Sequence, residues 1–162
     1  MLIAILADTH LPRGSRAIPD ACLERVRAAD LVLHAGDLLT AEVLEDLRAL
    51  GPPVAAVYGN MDGGDLRRLL PERQVVEAGG VRIGLVHDAG PGHGRLRRMR
   101  MAFPDCDAVV FGHSHIPLHE EEDGFQIFNP GSPTDRRRQP RHSMGAAAVE
   151  GGRARFEHVW LD

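Results

Sequence analysis

The stretch Val110-Phe111-Gly112-His113-Ser114-His115 decides how the rest of the chain is read. It puts two imidazoles at i and i+2 directly after an apolar run, and side chains two apart share one face of extended backbone. Such a pair can grip one metal ion or two adjacent ones, and Gly112 lets the backbone come close without a Cβ in the way. A lone His-x-His is weak evidence. It gains weight because acid, amide and imidazole residues recur at the ends of other apolar runs: Asp8 and His10 after 2–7, Asp37 after 31–35, Asn60 after 54–58 and His87 after 81–86.

Working outward, those runs set the expected elements. The continuous apolar run 2–7 predicts a central strand covered on both faces. Pro19 suits the first position of a helix over 19–29 with Cys22, Leu23 and Val26 inward. A second buried strand spans 31–35, and Thr40 is placed to N-cap a helix over 41–50, where Leu44, Leu47 and Leu50 recur and Gly51 ends the pattern. Strand 54–58, a short helix near 64–70, and strands 73–78 and 81–86 joined by Gly79-Gly80 follow. Leu96, Met99 and Phe103 among four arginines predict an amphipathic surface helix over 94–103. Strand 108–111 leads into the His-x-His loop, and the tail alternates as strands 116–120, 125–128, 143–149 and 153–160. A β-α-β-α-β half followed by hairpins predicts an α/β fold of two packed sheets with helices outside. With no internal repeat or low-complexity tract, residues 1–162 are read as one domain. The carboxyl ends of strands in open α/β sheets form the ligand crevice, so five loops can converge on one site.

Composition narrows the function classes. The chain of 162 residues has 43% hydrophobic and 26% charged residues, as expected of a globular protein. Its formal charge of −4 argues against a nucleic-acid-coating or membrane-surface protein. All 19 basic residues are arginine, which removes Schiff-base lysine chemistry. The two cysteines, Cys22 and Cys106, lie in expected core-facing segments without a C-x-x-C pairing and read as free thiols in a reducing compartment. The start carries no secretory signal pattern and no run long enough to span a bilayer, so a cytoplasmic location is expected.

The converging inventory is two carboxylates (Asp8, Asp37), one amide oxygen (Asn60) and four imidazoles (His10, His87, His113, His115). This mixed N/O set suits Mn²⁺, Fe, Ni²⁺ or Zn²⁺, whereas all-oxygen ligands would favour Mg²⁺ or Ca²⁺. Seven ligands exceed one tetrahedral zinc but fill two sites sharing a carboxylate, with positions open for water. Two ions roughly 3.5–4 Å apart can hold a hydroxide and clamp the oxygens of an in-line displacement at phosphorus. Each residue alone has a bland reading as a cap or turn former. Five strand-end clusters together do not.

Asp8-Thr-His10, Gly36-Asp37, Gly59-Asn60-Met61-Asp62, His87, Gly112-His113-Ser-His115 and Asn129-Pro-Gly-Ser132, in that order over essentially the whole chain, resemble the calcineurin-like metallophosphoesterase superfamily. Within it they are similar to the compact bacterial and archaeal phosphodiesterases of the YfcE type. The resemblance implies a four-layer αββα sandwich with two mixed β-sheets flanked by helices. It implies that Asp8, His10, Asp37 and His115 hold a first ion, that Asp37, Asn60, His87 and His113 hold a second, and that Asp37 bridges them. Asp37, Asn60 and His87 are then the expected catalytic residues, and the expected cofactors are two divalent transition ions, Mn²⁺ foremost, with Ni²⁺, Fe or Zn²⁺ as alternatives.

Two residues depart from the family pattern. Larger members carry histidine where this chain has Met61, a thioether that cannot donate a proton. Relatives usually show glycine at the position of Asp88, a carboxylate that could orient His87, bind a cation or repel an anionic substrate. Beyond the motifs, the arginine-rich loop 129–141 reads either as a solvated surface loop or as a flap at the site mouth. In the second case Arg136, or a neighbour, joins Asn60 in contacting a phosphate oxygen.

The expected activity is therefore a metal-dependent phosphodiesterase, in which a bridging hydroxide attacks the phosphorus of a small phosphate ester. Two alternatives stand beside it: a non-catalytic scaffold on the same fold, as in a retromer subunit that has lost a metal-site histidine, and a phosphomonoesterase. A nuclease is disfavoured by 4% aromatic residues and negative charge. No membrane partner is expected, and a homo-oligomer is left open.

Overall fold

The computed structural model describes residues 1–162. The elements run β1 (Leu2–Leu6), α1 (Asp20–Ala28), β2 (Leu31–His34), α2 (Ala41–Arg48), β3 (Val54–Ala56), α3 (Gly64–Leu69), β4 (Arg73–Ala78), β5 (Val81–Val86), α4 (Arg95–Ala102), β6 (Ala108–Val110), β7 (Leu118–Glu122), β8 (Phe125–Asn129), β9 (Ser143–Glu150) and β10 (Arg153–Trp160). Two five-stranded sheets form, ordered β10-β9-β1-β2-β3 and β4-β5-β6-β8-β7. Both are mixed. In the first, β1, β2 and β3 are parallel and β9 runs antiparallel to β1. In the second, β5, β6 and β8 are parallel between antiparallel β4 and β7.

Alternation along the apolar runs builds the layers. Ile3, Ile5 and Ala7 of the first run, with Leu31 and Leu33, face Val81, Ile83, Leu85, Val110 and Phe128 of the other sheet in the central core. The intervening Ala4, Leu6 and Val32 face outward onto Cys22 and Val26 of α1, Val43, Leu44 and Leu47 of α2 and Leu66 of α3. On the far side Met99 of α4 and Phe103 cover Val109, Phe111, Phe125 and Ile127. The order of layers is thus helix, sheet, sheet, helix. A strand buried on both faces reads as a continuous apolar run because neither side of its pleat meets water.

Three local expectations change. Pro19 is the residue before α1, and its carbonyl accepts the Cys22 N–H at 2.9 Å. Thr40 has extended capping backbone, yet its hydroxyl makes no capping bond and is left without a partner. β7 begins at Leu118 rather than 116, because Leu118 is the first residue in register with β8, opposite Asn129, and the preceding Pro117 has no N–H to offer a ladder.

Candidate metal centre

The loops after β1 and β2 are zipped together by backbone. Asp8, His10 and Leu11 donate N–H groups to the carbonyls of Gly36, Asp37 and Leu38 at 3.0, 2.9 and 3.0 Å. The loops after β3, β5 and β6 close over the same end, so all five strand-end clusters meet there. Gly36 makes the close approach feasible: its φ is +95°, and a Cβ would stand 2.7 Å from His87 Nδ1. Asp8, His10, Asp37, His113 and His115 all have positive φ, between 46° and 68°. Non-glycine residues adopt that left-handed region reluctantly, and such strain gathers at functional sites.

Five of the seven side chains form two overlapping groups that share Asp8. Ligand atoms of Asp8, His10 and His115 lie within 4.8 Å of one another, as do those of Asp8, Asp37 and His87. His10 Nε2 is 3.8 Å from Asp8 Oδ1 and 3.4 Å from Asp37 Oδ2, which links the groups. Asn60 Oδ1 stands 3.0 Å from both His87 Nε2 and His113 Nδ1. Asn60 and His113 are the exposed members, whereas Asp8, His10, Asp37, His87 and His115 are buried.

The carbonyls behind the rings fix which nitrogen faces inward. His87 Nδ1 donates to the Ala35 carbonyl at 2.7 Å, and His115 Nδ1 donates to the Asp135 carbonyl at 2.5 Å. In the neutral tautomers so set, the Nε2 lone pairs point at carboxylates, His87 toward Asp37 Oδ2 at 3.4 Å and His115 toward Asp8 Oδ1 at 3.5 Å. Lone pairs thus face lone pairs. Asp8 Oδ2, both ring nitrogens of His10 and His115 Nε2 are buried without a hydrogen-bond partner. Buried polar atoms are normally satisfied, so a cluster of unpartnered carboxylate and imidazole atoms fits cations between them.

The charges agree. When no cation is bound, burial works against ionisation of Asp37, but a protonated His87, the Met61 N–H and the nearby His10 outweigh it and hold the carboxyl below its ordinary range. Burial likewise opposes protonation of His87, and Asp37 and Asp8 outweigh it to raise that ring's pKa. His115 moves down, chiefly through burial. His34 sits behind the centre, fully buried, and accepts the Gly36 N–H at Nδ1 at 3.1 Å.

Several supporting residues lay outside the expected set. Asp62 takes the N–H groups of Asp37, Leu39 and Gly59 at 3.0, 2.7 and 2.7 Å. Ser132 and Thr134 donate hydroxyls to the carbonyls of Asp8 and Thr9 at 2.8 and 2.5 Å, pinning the arginine-rich flap onto the first ligand loop. Asn129 Nδ2 holds the Gly112 carbonyl at 2.8 Å behind His113. Each follows a motif visible in sequence, Asn60-Met-Asp62 or Asn129-Pro-Gly-Ser132, but a brace to backbone leaves no signature of its own. Asp88 does not orient His87, for its Oδ1 accepts the Gly90 N–H at 2.7 Å while the Ala35 carbonyl does the orienting. Arg136 donates to the carbonyl of Gln139 at 2.5 Å within its own turn. Arg137 is the flap arginine whose charge is felt at His115. Met61 is 51% exposed at the rim. The largest cavity, about 520 Å³ between loop 11–18 and α2, lies away from the centre, which opens instead into a cleft of about 250 Å³.

Residues 1–152 match the model of the calcineurin-like phosphoesterase superfamily domain. A probable metallophosphoesterase of Methanothermobacter thermautotrophicus is 35% identical over 136 residues, covering 83% of this chain and 78% of its own. A phosphodiesterase of Methanocaldococcus jannaschii is 28% identical over 144 residues, 81% of this chain and 83% of its own. Among solved structures, wild-type Vps29 of Entamoeba histolytica complexed with zinc superposes with a TM-score of 0.77 at 27% identity, covering all of both chains. This chain belongs to the calcineurin-like phosphoesterase superfamily.

Proposed function

We propose that this protein is a metal-dependent phosphodiesterase acting on small phosphate esters, with Asp8, His10, Asp37 and His115 holding one divalent ion and Asp37, Asn60, His87 and His113 a second. The observation that carries the reading is the set of inward lone pairs on Asp8, His10 and His115 that no protein donor satisfies. Four imidazoles beside two carboxylates favour Mn²⁺, with Ni²⁺, Fe or Zn²⁺ as alternatives, over Mg²⁺. Bound there, two divalent ions would lower the pKa of an attacking water and offset charge at phosphorus.

The chain's own groups do the rest. Asp37 Oδ2, 3.4 Å from both His10 Nε2 and His87 Nε2, is the carboxylate oxygen we assign to both ions. The Ala35 and Asp135 carbonyls fix the rings of His87 and His115, and the exposed Asn60 amide is the group we assign to meet an incoming phosphate oxygen. A small substrate suits the cleft of about 250 Å³ beside Asn60 and His87. Diester specificity is supported by the archaeal relative named a phosphodiesterase. We place the protein in the cytoplasm, a reading supported by two free cysteines and by the lack of any helix long and apolar enough to cross a membrane.

The likeness to Vps29 keeps a scaffold role as the second reading. It is tested by stripping the protein with a chelator and titrating metals while following hydrolysis of bis(p-nitrophenyl) phosphate. Turnover restored by Mn²⁺ well above Mg²⁺ is expected. Full metal loading without hydrolysis of any diester would favour the scaffold.

A further inference from the structure

The metal centre does not open onto bare solvent on its His87 side. A cleft of about 250 Å³ runs from Asn60 and His87 between Tyr58, Arg67, Glu72 and Asp88. It shares two residues with the centre, so a phosphate seated there directs one ester group into it. Its volume falls below the roughly 300–1,000 Å³ of sites for drug-sized ligands, and it suits a group the size of glycerol or a pentose.

The walls have a fixed chemistry. Arg67 is stapled to the loop that carries Asn60: its Nε donates to the Asp62 carbonyl at 2.9 Å and its Nη2 to the Asn60 and Gly59 carbonyls at 3.2 and 3.4 Å. The guanidinium also lies over the Tyr58 ring, 4.8 Å from its centroid. It is a rigid wall with its Nη1 edge left to donate. Two carboxylates outside any ion pair, Glu72 and Asp88, line the same cleft, the latter with only Oδ1 engaged, by the Gly90 N–H.

Resting on the phosphoesterase reading above, we infer that this cleft binds the organic group of the substrate and that the group is a small, uncharged, hydroxyl-bearing alcohol. A hydroxyl donates to a carboxylate and accepts from a guanidinium with the same oxygen, so it satisfies both walls. A plain alkyl group satisfies neither, and sites built to hydrogen-bond a hydroxyl discriminate strongly against analogues that lack it. A second anionic group meets two carboxylates against one guanidinium that is already engaged, and like charges brought together without desolvation relief are disfavoured.

The test uses the metal-loaded full chain and three p-nitrophenyl phosphodiesters with one leaving group in common, whose second ester is 2,3-dihydroxypropyl, propyl or 2-carboxyethyl. Calorimetric binding of glycerol 3-phosphate and propyl phosphate gives a readout independent of turnover. The expected KM is lowest for the dihydroxypropyl ester, about tenfold below the propyl ester, which is the fold-change of one good hydrogen bond to a charged group. The carboxyethyl ester should be the poorest, and glycerol 3-phosphate should bind more tightly than propyl phosphate. Asp88→Ala and Glu72→Ala should each pull the dihydroxypropyl-to-propyl ratio toward one. Hydrolysis of all three with equal KM, or a preference for the carboxyethyl ester, would overturn the inference and leave the phosphoesterase reading intact. No hydrolysis of any ester, with tighter binding of glycerol 3-phosphate retained, would overturn the phosphoesterase reading and support the cleft assignment.

Discussion

Asp62 Oδ2 accepts the backbone N–H of Asp37 at 3.0 Å, so a buried carboxylate behind the centre fixes the carboxylate in front of it. The same oxygen takes the Gly59 N–H at 2.7 Å and Oδ1 takes that of Leu39 at 2.7 Å. Asp37 and Leu39 both have positive φ, 59° and 91°, and Asp62 is the group that makes this strained turn affordable by tying it to the loop of Asn60.

Asp62→Ala should therefore damage both fold and site. Three N–H donors lose their acceptor, at roughly 1–3 kcal/mol for each left unsatisfied. Thermal unfolding should show a drop of several degrees, and metal titration a weaker affinity at both positions. An unchanged melting temperature with unchanged metal affinity would show that the brace is dispensable.

His34 sets a pH limit on stability. Burial, with the His87 charge adding to it, lowers its pKa to about 3. Because the folded value lies below the ordinary 6.5, the unfolded chain binds the extra proton, and the stability contributed is present above pH 6.5 and lost as pH falls toward 3. In metal-free protein the slope from this one ring approaches about 1.4 kcal/mol per pH unit between those limits. Denaturant titrations at pH 7, 6, 5 and 4 should show a shallower loss for His34→Gln than for the wild type. Parallel curves would remove His34 from the account.

Arg137 rather than Arg136 is the flap residue we assign to a phosphate oxygen. Arg136 is engaged with the Gln139 carbonyl, while Arg141 covers the Trp160 ring at 5.5 Å. Burial depresses the His115 pKa first, and the Arg137 charge adds to it, and the flap that carries Arg137 is pinned onto the loop of Asp8 by Ser132 and Thr134. Arg137→Ala should raise KM for a diester by about 10- to 100-fold, as expected for a hydrogen bond to a charged group, with metal content unchanged. Arg136→Ala should stay within about twofold. The reverse ranking would move the assignment back to Arg136.

Met61 bears on the leaving group. Its backbone N–H binds Asp37 Oδ1 at 2.8 Å, while the thioether at the rim has no proton to give to a departing oxygen. General-acid help is worth about 10²–10⁴ in rate, so aryl diesters should be hydrolysed far faster than alkyl diesters. Met61→His should raise the alkyl rate selectively. A Brønsted series of leaving groups measures both, and a wild-type rate nearly independent of leaving-group pKa, with chemistry rate-limiting, would show that another acid serves.

What was legible in the sequence follows from periodicity. The runs Leu2–Leu6 and Ala108–Val110 announced buried strands because both faces of each are covered, and the candidate ligands were legible as a cluster because they stand where such runs stop. Interactions that end on backbone atoms were not legible. His87 is oriented by the Ala35 carbonyl rather than by its neighbour Asp88, and Arg136 closes onto a carbonyl three residues on. A carbonyl carries no residue identity to read. The same holds for the positive φ at Asp8, His10, Asp37, His113 and His115, since aspartate and histidine, though enriched in the left-handed region, adopt it too rarely for residue type alone to mark it.

The most direct test of the metal-centre account is the number of divalent ions bound per chain. Elemental analysis of chelator-stripped protein reloaded with Mn²⁺ and desalted should find about two per chain for the wild type, as a seven-ligand set with one shared carboxylate requires. Asp37→Asn should lose both ions together while the fold persists. A wild-type chain that retains none, or an Asp37→Asn chain that keeps two and turns over like the wild type, would contradict it.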